Sequence, residues 1–250
     1  MKIKGKRISG AVRAGIDLDA ALARSQLAHL DILLRHSFIF ECLTSHPWGN
    51  QAIAIIQLES ILGRAVDIYH DLLYKITMKV LRESGQLHIH ALNMLSSGAQ
   101  KKVLKSDAPE KELAELLSTV LDRQLSKLRV LAREMNLMSD AEIPLIVQIR
   151  NCIVHSNSII SSKLKLAIQN SNLAAPRIDA GRLFLSTSVV SVYLLELSDA
   201  IKFAEEAAHE GYAIPWEQVE IVIGEPIVYN KWQPQSLVAR ILDRAFSRRQ

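Results

Sequence analysis

The sequence predicts an all-α fold: a bundle of four to five helices with small β-hairpin insertions and a short α/β C-terminal extension. Three observations lead there. Apolar residues recur at spacings of three and four over four long stretches, the period of a helix buried on one face. Aromatics make up only 5% of the chain and Gly and Pro number ten and seven, while Leu, Ile and Ala abound, a balance that favours helix. The few alternating segments are short and lie beside turn residues.

Taken in order, Asp17 to Thr44 reads as a first helix, with Leu18, Leu22, Leu27, Leu30, Leu34 and Phe38 at helical spacing. "SHPWGN" (Ser45–Asn50) is a turn. From Gln51 the series Ile55, Leu58, Leu62, Ala65, Ile68, Leu72, Ile76 and Val80 marks a long second helix ending near "ESGQ". Leu87 to Leu95 reads as a short helix, followed by a basic connector, "SSGAQKKVLKSDAPEK". A third long helix opens at Pro109 and Glu110 and runs to about Asn136 on Leu113, Leu116, Leu117, Val120, Leu121, Leu125, Leu128 and Leu131. "SDAE" (Ser139–Glu142) has the form of a capping box, but Pro144 is better placed as the first residue of a helix over Pro144–Ser156, where its missing N–H is harmless. "KLKLAI" and "GRLFLS" read as a short hairpin or two extended arms. Ser186 to His209 is the last long helix, with Val190, Tyr193, Leu194, Leu197, Ile201 and Ala204 as its apolar stripe. Past Gly211 the pattern changes to two short strands around Gly224-Glu225-Pro226 and a basic amphipathic helix from Ser236. The expected division is thus residues 1–212, the bundle, and 213–250, the extension.

Bulk properties narrow the functional classes. A net charge of +4 is mild, but Lys2, Lys4, Lys6 and Arg7 crowd the start and Arg240, Arg244, Arg248 and Arg249 the end. These are either solvated tails or basic arms for the phosphates of a nucleic acid. Cys42 and Cys152 form neither a CxxC pair nor a ligand cluster, which argues against a disulfide framework or zinc site and fits a reducing cytoplasm. Met1–Gly10 lacks the apolar core of a secretory signal. The most apolar run, Leu183 to Leu197, carries four Ser/Thr residues and falls short of the ~20 residues of a membrane span. A soluble protein is expected.

Most chemical motifs are missing or weak. "SGAVRAG" lacks the spacing of a phosphate-binding loop and follows no strand. His88 and His90 offer two metal ligands without a third at a suitable local spacing. His70 and Asp71 sit mid-helix and read as surface or core-edge polar residues. Cys152 and His155 are three apart, the geometry of a thiolate and its base, but Cys152 lies on the apolar side of its helix and reads as a small buried hydrophobe.

One stretch stands apart. "IPLIVQIRNCIVHSNSII" (Ile143–Ile160) holds Arg150, Asn151 and His155 at the end of an otherwise apolar helix. Asn151 and His155 are four apart and share a helix face. Arg150 lies about 140° round from His155, so its side chain is expected to reach over or to pair with a group from another chain. Such a set suits phosphate chemistry. Arg grips a phosphate through two N–H groups, Asn orients it, and an imidazole can take a proton from a hydroxyl or give one to a leaving group. RNA supplies its own nucleophile, the ribose 2′-OH, so neither metal nor protein nucleophile is required.

In the form Arg150-Asn151-Cys152-Ile153-Val154-His155, the stretch resembles the R-x4–6-H signature of the HEPN superfamily, with the polar residue that often follows the Arg. The architectural likeness covers about residues 16–210: motif helix, polar loop or hairpin, then a final long helix. The bare pattern is common. Sixteen Arg and eight His give about 1.5 chance matches, and four occur: Arg24/His29, Arg64/His70, Arg82/His88 and Arg150/His155. Requiring Asn after the Arg and His at the fifth position lowers the chance expectation to roughly 0.02, and Arg150/His155 alone passes.

The resemblance implies a small all-helical protein of a superfamily rich in metal-independent ribonucleases of toxin–antitoxin, phage-defence and CRISPR systems. It implies a homodimer with the two motifs facing each other, RNA as substrate, no cofactor and no metal, and an antitoxin or ATPase as partner protein. His155 would be general acid or base, Arg150 would stabilise charge on the scissile phosphate, and Asn151 would hold the phosphate or His155. The implied products carry 2′,3′-cyclic phosphate and 5′-OH ends. One subfamily has a Tyr two residues after the His as a modification site; Asn157 stands there in this chain, which argues against regulation by that route. Arg240, Arg244 and Arg248 offer a basic face for RNA, while Leu237, Ile241, Ala245 and Phe246 form the opposite apolar face.

Two other readings stay open at this level. Arg150 can be a surface ion pair and His155 a helix C-terminal cap. The bundle can equally be a non-catalytic module that dimerises or binds a nucleotide or partner protein.

Overall fold

A computed structural model of the protein describes residues 9–42, 49–84, 89–138 and 142–210. The described residues are mostly helical. Among the described residues nine helices run in the order α1 (Gly10–Cys42), α2 (Gly49–Ser84), α3 (Ile89–Asn93), α4 (Ser97–Lys105), α5 (Pro109–Arg123), α6 (Leu125–Glu134), α7 (Ile143–Ser156), α8 (Ser162–Gln169) and α9 (Thr187–Glu210). Between α8 and α9 lies one antiparallel hairpin, β1 (Arg177–Asp179) and β2 (Arg182–Phe184). No described helix is long and apolar enough to cross a membrane. The turn expected over Ser45–Asn50 lies largely outside the described residues. The capping-box residues Ser139, Asp140 and Ala141 and everything after Glu210, including the division expected after residue 212, lie outside them too.

The chain groups into two compact units. Of the described residues, one takes those within Met1–Ile16, Leu73–Met138 and Glu205–Gln250; the other takes those within Asp17–Leu72 and Ser139–Ala204. In the first, Leu73, Ile76 and Val80 of α2, Leu113, Leu117 and Leu121 of α5, and Leu128 and Leu131 of α6 are buried. The buried Gln100 amide donates to Leu95 O at 3.0 Å, so its burial leaves that donor satisfied. Lys79 donates to Gly15 O, and Arg13 to His209 O at 2.6 Å, where it meets a carbonyl at the end of α9.

Several expectations change here. The connector after Leu95 contains a helix, α4, because Ser96 caps it by accepting from Ala99 N–H and Val103 is buried. Lys102 of α4 pairs with Glu112 of α5 at 2.5 Å. The single helix expected from Pro109 to Asn136 is two, broken at Gln124 (φ −129°, ψ 74°). Asn136, at φ 53°, leaves α6 in the left-handed conformation that Asn tolerates.

The second unit holds the candidate site. Helix α1 begins earlier than expected, with Ser9 accepting from Val12 N–H. Its buried face is Ile16, Ala20, Ala23, Leu27, Leu30 and Leu34, whereas Leu18 and Leu22 are 70% and 52% exposed. Small Ala residues thus take core positions that size alone would give to Leu. The α2 series from Leu58 to Val80 is buried as expected, and so is the whole α9 stripe. Helix α7 begins at Ile143, which makes Pro144 its second residue rather than its first.

"KLKLAI" is helix α8, not a strand. Ser161 caps it by accepting from Leu164 N–H, and Leu164 and Ile168, four apart, are its buried residues. The partner of β2 is instead Arg177-Ile178-Asp179, in the register Arg177↔Phe184, Ile178↔Leu183 and Asp179↔Arg182. Ala180 (φ 45°) and Gly181 (φ 76°) close it as a tight turn with both central residues left-handed.

Tyr193 of α9 is fully buried, and its hydroxyl donates to Ala174 O at 2.9 Å. Burial pushes its phenol well above the usual tyrosine range, and the Glu142 carboxylate adds to the shift. The folded protein therefore holds the phenol's proton where the unfolded chain releases it. Stability from this group is full below about pH 10 and declines as pH rises beyond it. Tyr193→Phe is expected to lose about 1 kcal/mol at neutral pH and to flatten the alkaline limb of a urea-melt stability profile between pH 8 and 11.

Candidate active site

Helix α7 presents its apolar residues inward. Ile146, Ile149, Cys152 and Ile153 are buried, while Val154, His155 and Ser156 face solvent. This is the amphipathic pattern expected of an Ile/Leu/Val helix whose polar residues cluster near its C terminus. At the N terminus Glu142 accepts from Ser171 Oγ (3.1 Å) and Asn172 N–H (3.4 Å), tying the segment after α8 to the start of α7.

Arg150 is oriented from within the same chain. Its Nη2 donates to Asp67 Oδ1 of α2 at 2.9 Å, and its Nη1 to Asn151 Oδ1 at 3.3 Å. The Arg150 side chain is only 20% exposed, against 47% for Asp67. Its Nε–H is buried with no acceptor among the described residues. Asn151 therefore braces Arg150, rather than lying free to share the His155 face. The ion-pair reading of Arg150 holds to that extent, but the partner is a half-exposed carboxylate and one donor is left open.

His155 occupies the last turn of α7, exposed, and makes no side-chain hydrogen bond or ion pair among the described residues. It does not cap the helix. The backbone does that: Asn157 is left-handed (φ 48°), and Ser158 N–H donates to Cys152 O at 3.1 Å. A left-handed position suits Asn and penalises a bulky residue, which gives a local reason for Asn157 where a Tyr would be strained.

Ser158 is left-handed as well, at φ 62°. Two successive non-glycine residues in this region are costly and persist only where the surroundings enforce them. Here they do. Ser158 Oγ donates to Glu59 Oε1 of α2 at 3.2 Å, Ser158 O accepts from Leu183 N–H at 2.9 Å, and Ile160 N–H donates to Gly181 O at 3.0 Å. Residues 158–160 thus lie along β2, with Ile159 bridged to Arg182. Helix α2 touches the motif twice, through Asp67 at Arg150 and Glu59 at Ser158.

Cys152 is no nucleophile in this setting. It is buried, its thiol donates to Ile159 O at 3.2 Å, and burial pushes its pKa up, away from the thiolate. Of the other motif matches, His70 is buried with its ring 6.0 Å from that of Tyr69. His90 faces Glu134 at 3.6 Å, and His88 lies outside the described residues. Arg240, Arg244 and Arg248 also lie outside them.

Asp67 and Glu59 were not singled out from the sequence. They stand 83 and 99 residues from their partners, among ordinary surface positions of a long helix, and no local pattern marks them. Arg182 was missed as well. It is exposed, without a side-chain partner among the described residues, and next to the segment that follows the motif.

As a chemical arrangement, the end of α7 offers a held guanidinium, an amide that braces it and a free imidazole, on a backbone anchored at both ends. No family model, curated protein or solved structure matches the chain.

Proposed function

We propose that the protein is a metal-independent endoribonuclease of HEPN type, a toxin or phage-defence effector acting in the cytoplasm as a homodimer. The observation that carries this reading is the contrast within one helix end. Arg150 is held by Asp67 and Asn151, while His155, one and a half turns on, is exposed and uncommitted. A cation held in place and a free proton-transfer group are what phosphodiester transfer through the 2′-OH requires. Strained backbone held by two anchors directly after His155 adds support, since such strain concentrates at working sites.

In this reading His155 takes the proton of the ribose 2′-OH, and the 2′ oxygen attacks the adjacent phosphorus. The P–O5′ bond breaks, and a protonated group or water returns a proton to the leaving 5′ oxygen. Arg150 meets the negative charge that builds on the phosphate oxygens. It already faces a carboxylate in Asp67, so an incoming phosphate shares or displaces that partner. Asp67 thereby aims the guanidinium without locking it. RNA is the partner, and an antitoxin or ATPase would restrain or trigger the enzyme.

The test is incubation of purified protein with single-stranded RNA in excess EDTA, followed by analysis of the product ends. The expected result is cleavage with 2′,3′-cyclic phosphate and 5′-OH termini. Products with 3′-OH and 5′-phosphate ends, formed only with added metal, would contradict it.

A further inference from the structure

We infer that the outer face of the β1–β2 hairpin is a nucleotide subsite that holds an unpaired base of single-stranded RNA beside the α7 site. The inference rests on the ribonuclease reading above and names where the substrate is gripped.

The register places the elements. Side chains alternate across a strand, so Arg177 and Asp179 of β1 share one face with Arg182 and Phe184 of β2, while Leu183 turns into the core at 2% exposure. The bridge Ile159↔Arg182 is antiparallel, so moving along β2 from Arg182 to Phe184 runs back from Ile159 towards the C terminus of α7. Phe184 is two residues, about 7 Å of strand, from that bridge. Strand β2 therefore runs alongside the segment that leaves the helix carrying His155.

The chemistry of that face fits a nucleotide. The Arg177 guanidinium lies over the Phe184 ring, 5.3 Å from its centroid, with its side chain 73% exposed. Its ion pair is loose, 3.8 Å to Asp179, so the ring orders the guanidinium more than the carboxylate does. A base can stack on the outer side of such a plane, as bases stack on guanidinium and aromatic surfaces generally. Arg182, exposed and without a partner among the described residues, offers a second cation for a backbone phosphate.

Beside the pair is a cavity of about 400 Å³, with Leu58 and Leu185 in its apolar lining and Ser186 as a polar edge. That volume lies within the range of small-ligand sites. The stacked Arg177–Phe184 pair stands at this cavity rather than on a flat surface.

The experiment uses the full chain and a fluorescent single-stranded RNA 12-mer with every ribose 2′-O-methylated, which cannot be cut by 2′-OH attack. Anisotropy titration is expected to show binding weakened about tenfold by Arg177→Ala. Arg177→Lys, which keeps the charge but not the plane, is expected to lose nearly as much. Lys101→Ala, which removes an exposed cation from α4, is expected to change binding less than twofold. On cleavable RNA, Arg177→Ala should raise KM and leave kcat within threefold. Arg177 is largely exposed, so its replacement leaves the core intact; Phe184→Ala is the second variant and should match it.

Wild-type affinity in Arg177→Ala overturns the subsite, as does an equal loss in Lys101→Ala, which would mean bulk charge alone. Failure of the wild type to bind the 12-mer overturns it too. If Arg177→Ala loses affinity while RNA stays uncut by the wild type, the subsite stands and the catalytic reading falls. If RNA is cut and Arg177→Ala has an unchanged KM, the reverse holds.

Discussion

Arg150→Ala is expected to lower RNA cleavage by about 10²–10³-fold while barely moving the melting transition. The two effects separate because Arg150 has two distinct jobs. Its pair with Asp67 is partly solvated, with Asp67 47% exposed, so losing it costs about 1 kcal/mol or less. Its proposed role in stabilising the transition state is worth several times more. Arg150→Lys should recover little, since an ammonium cannot span Asp67 Oδ1, Asn151 Oδ1 and a phosphate from one planar group. Asp67→Asn keeps the shape and removes the aiming charge, and should fall between the extremes at roughly 10–100-fold below wild type. Single-turnover cleavage rates set beside urea melts check all three. A stability loss in Arg150→Ala large enough to account for its lost activity would make the residue structural.

The largest expected effect on stability lies one turn earlier on the same helix. Ile146 is fully buried in α7, and Ile146→Ala should cost about 2–5 kcal/mol through lost transfer energy and the cavity left behind. His155→Ala, at an exposed position, should stay within about 0.5 kcal/mol. A urea melt followed by circular dichroism reads both. Near-equal midpoints for the two variants would mean that α7 is not packed as described, and the orientation argued for Arg150 and His155 would fall with it.

How far the sequence carried the fold depends on where each signal lay. The α2 and α9 stripes were legible because large apolar residues repeat at helical spacing without interruption, and all of them but the half-buried Ile55 are buried where that spacing puts them. Helix α8 was not, because Lys-Leu-Lys-Leu alternates like a strand. Only Leu164 and Ile168, four apart behind the Ser161 cap, reveal the helical period. Nor was the break at Gln124, which neither Pro nor Gly announces.

For the site, Arg150, Asn151 and His155 were legible as a local pattern. What orients them was not. Asp67 and Glu59 reach the motif only through the fold. The same holds for the hairpin face, whose Arg177–Phe184 stack depends on a strand pairing whose first strand does not stand out in the sequence. The resemblance implies that Asn151 holds the phosphate or His155, whereas in the structure its Oδ1 accepts from its neighbour Arg150.

The central claim is that His155 performs the proton transfer of a metal-free RNA cleavage. The most direct measurement compares wild type, His155→Ala and His29→Ala on single-stranded RNA in excess EDTA. His29 is an exposed histidine of α1 and belongs to one of the other motif matches. The account predicts that wild type and His29→Ala cut RNA alike and that His155→Ala is silent with its fold intact. Equal cleavage by all three proteins would contradict it.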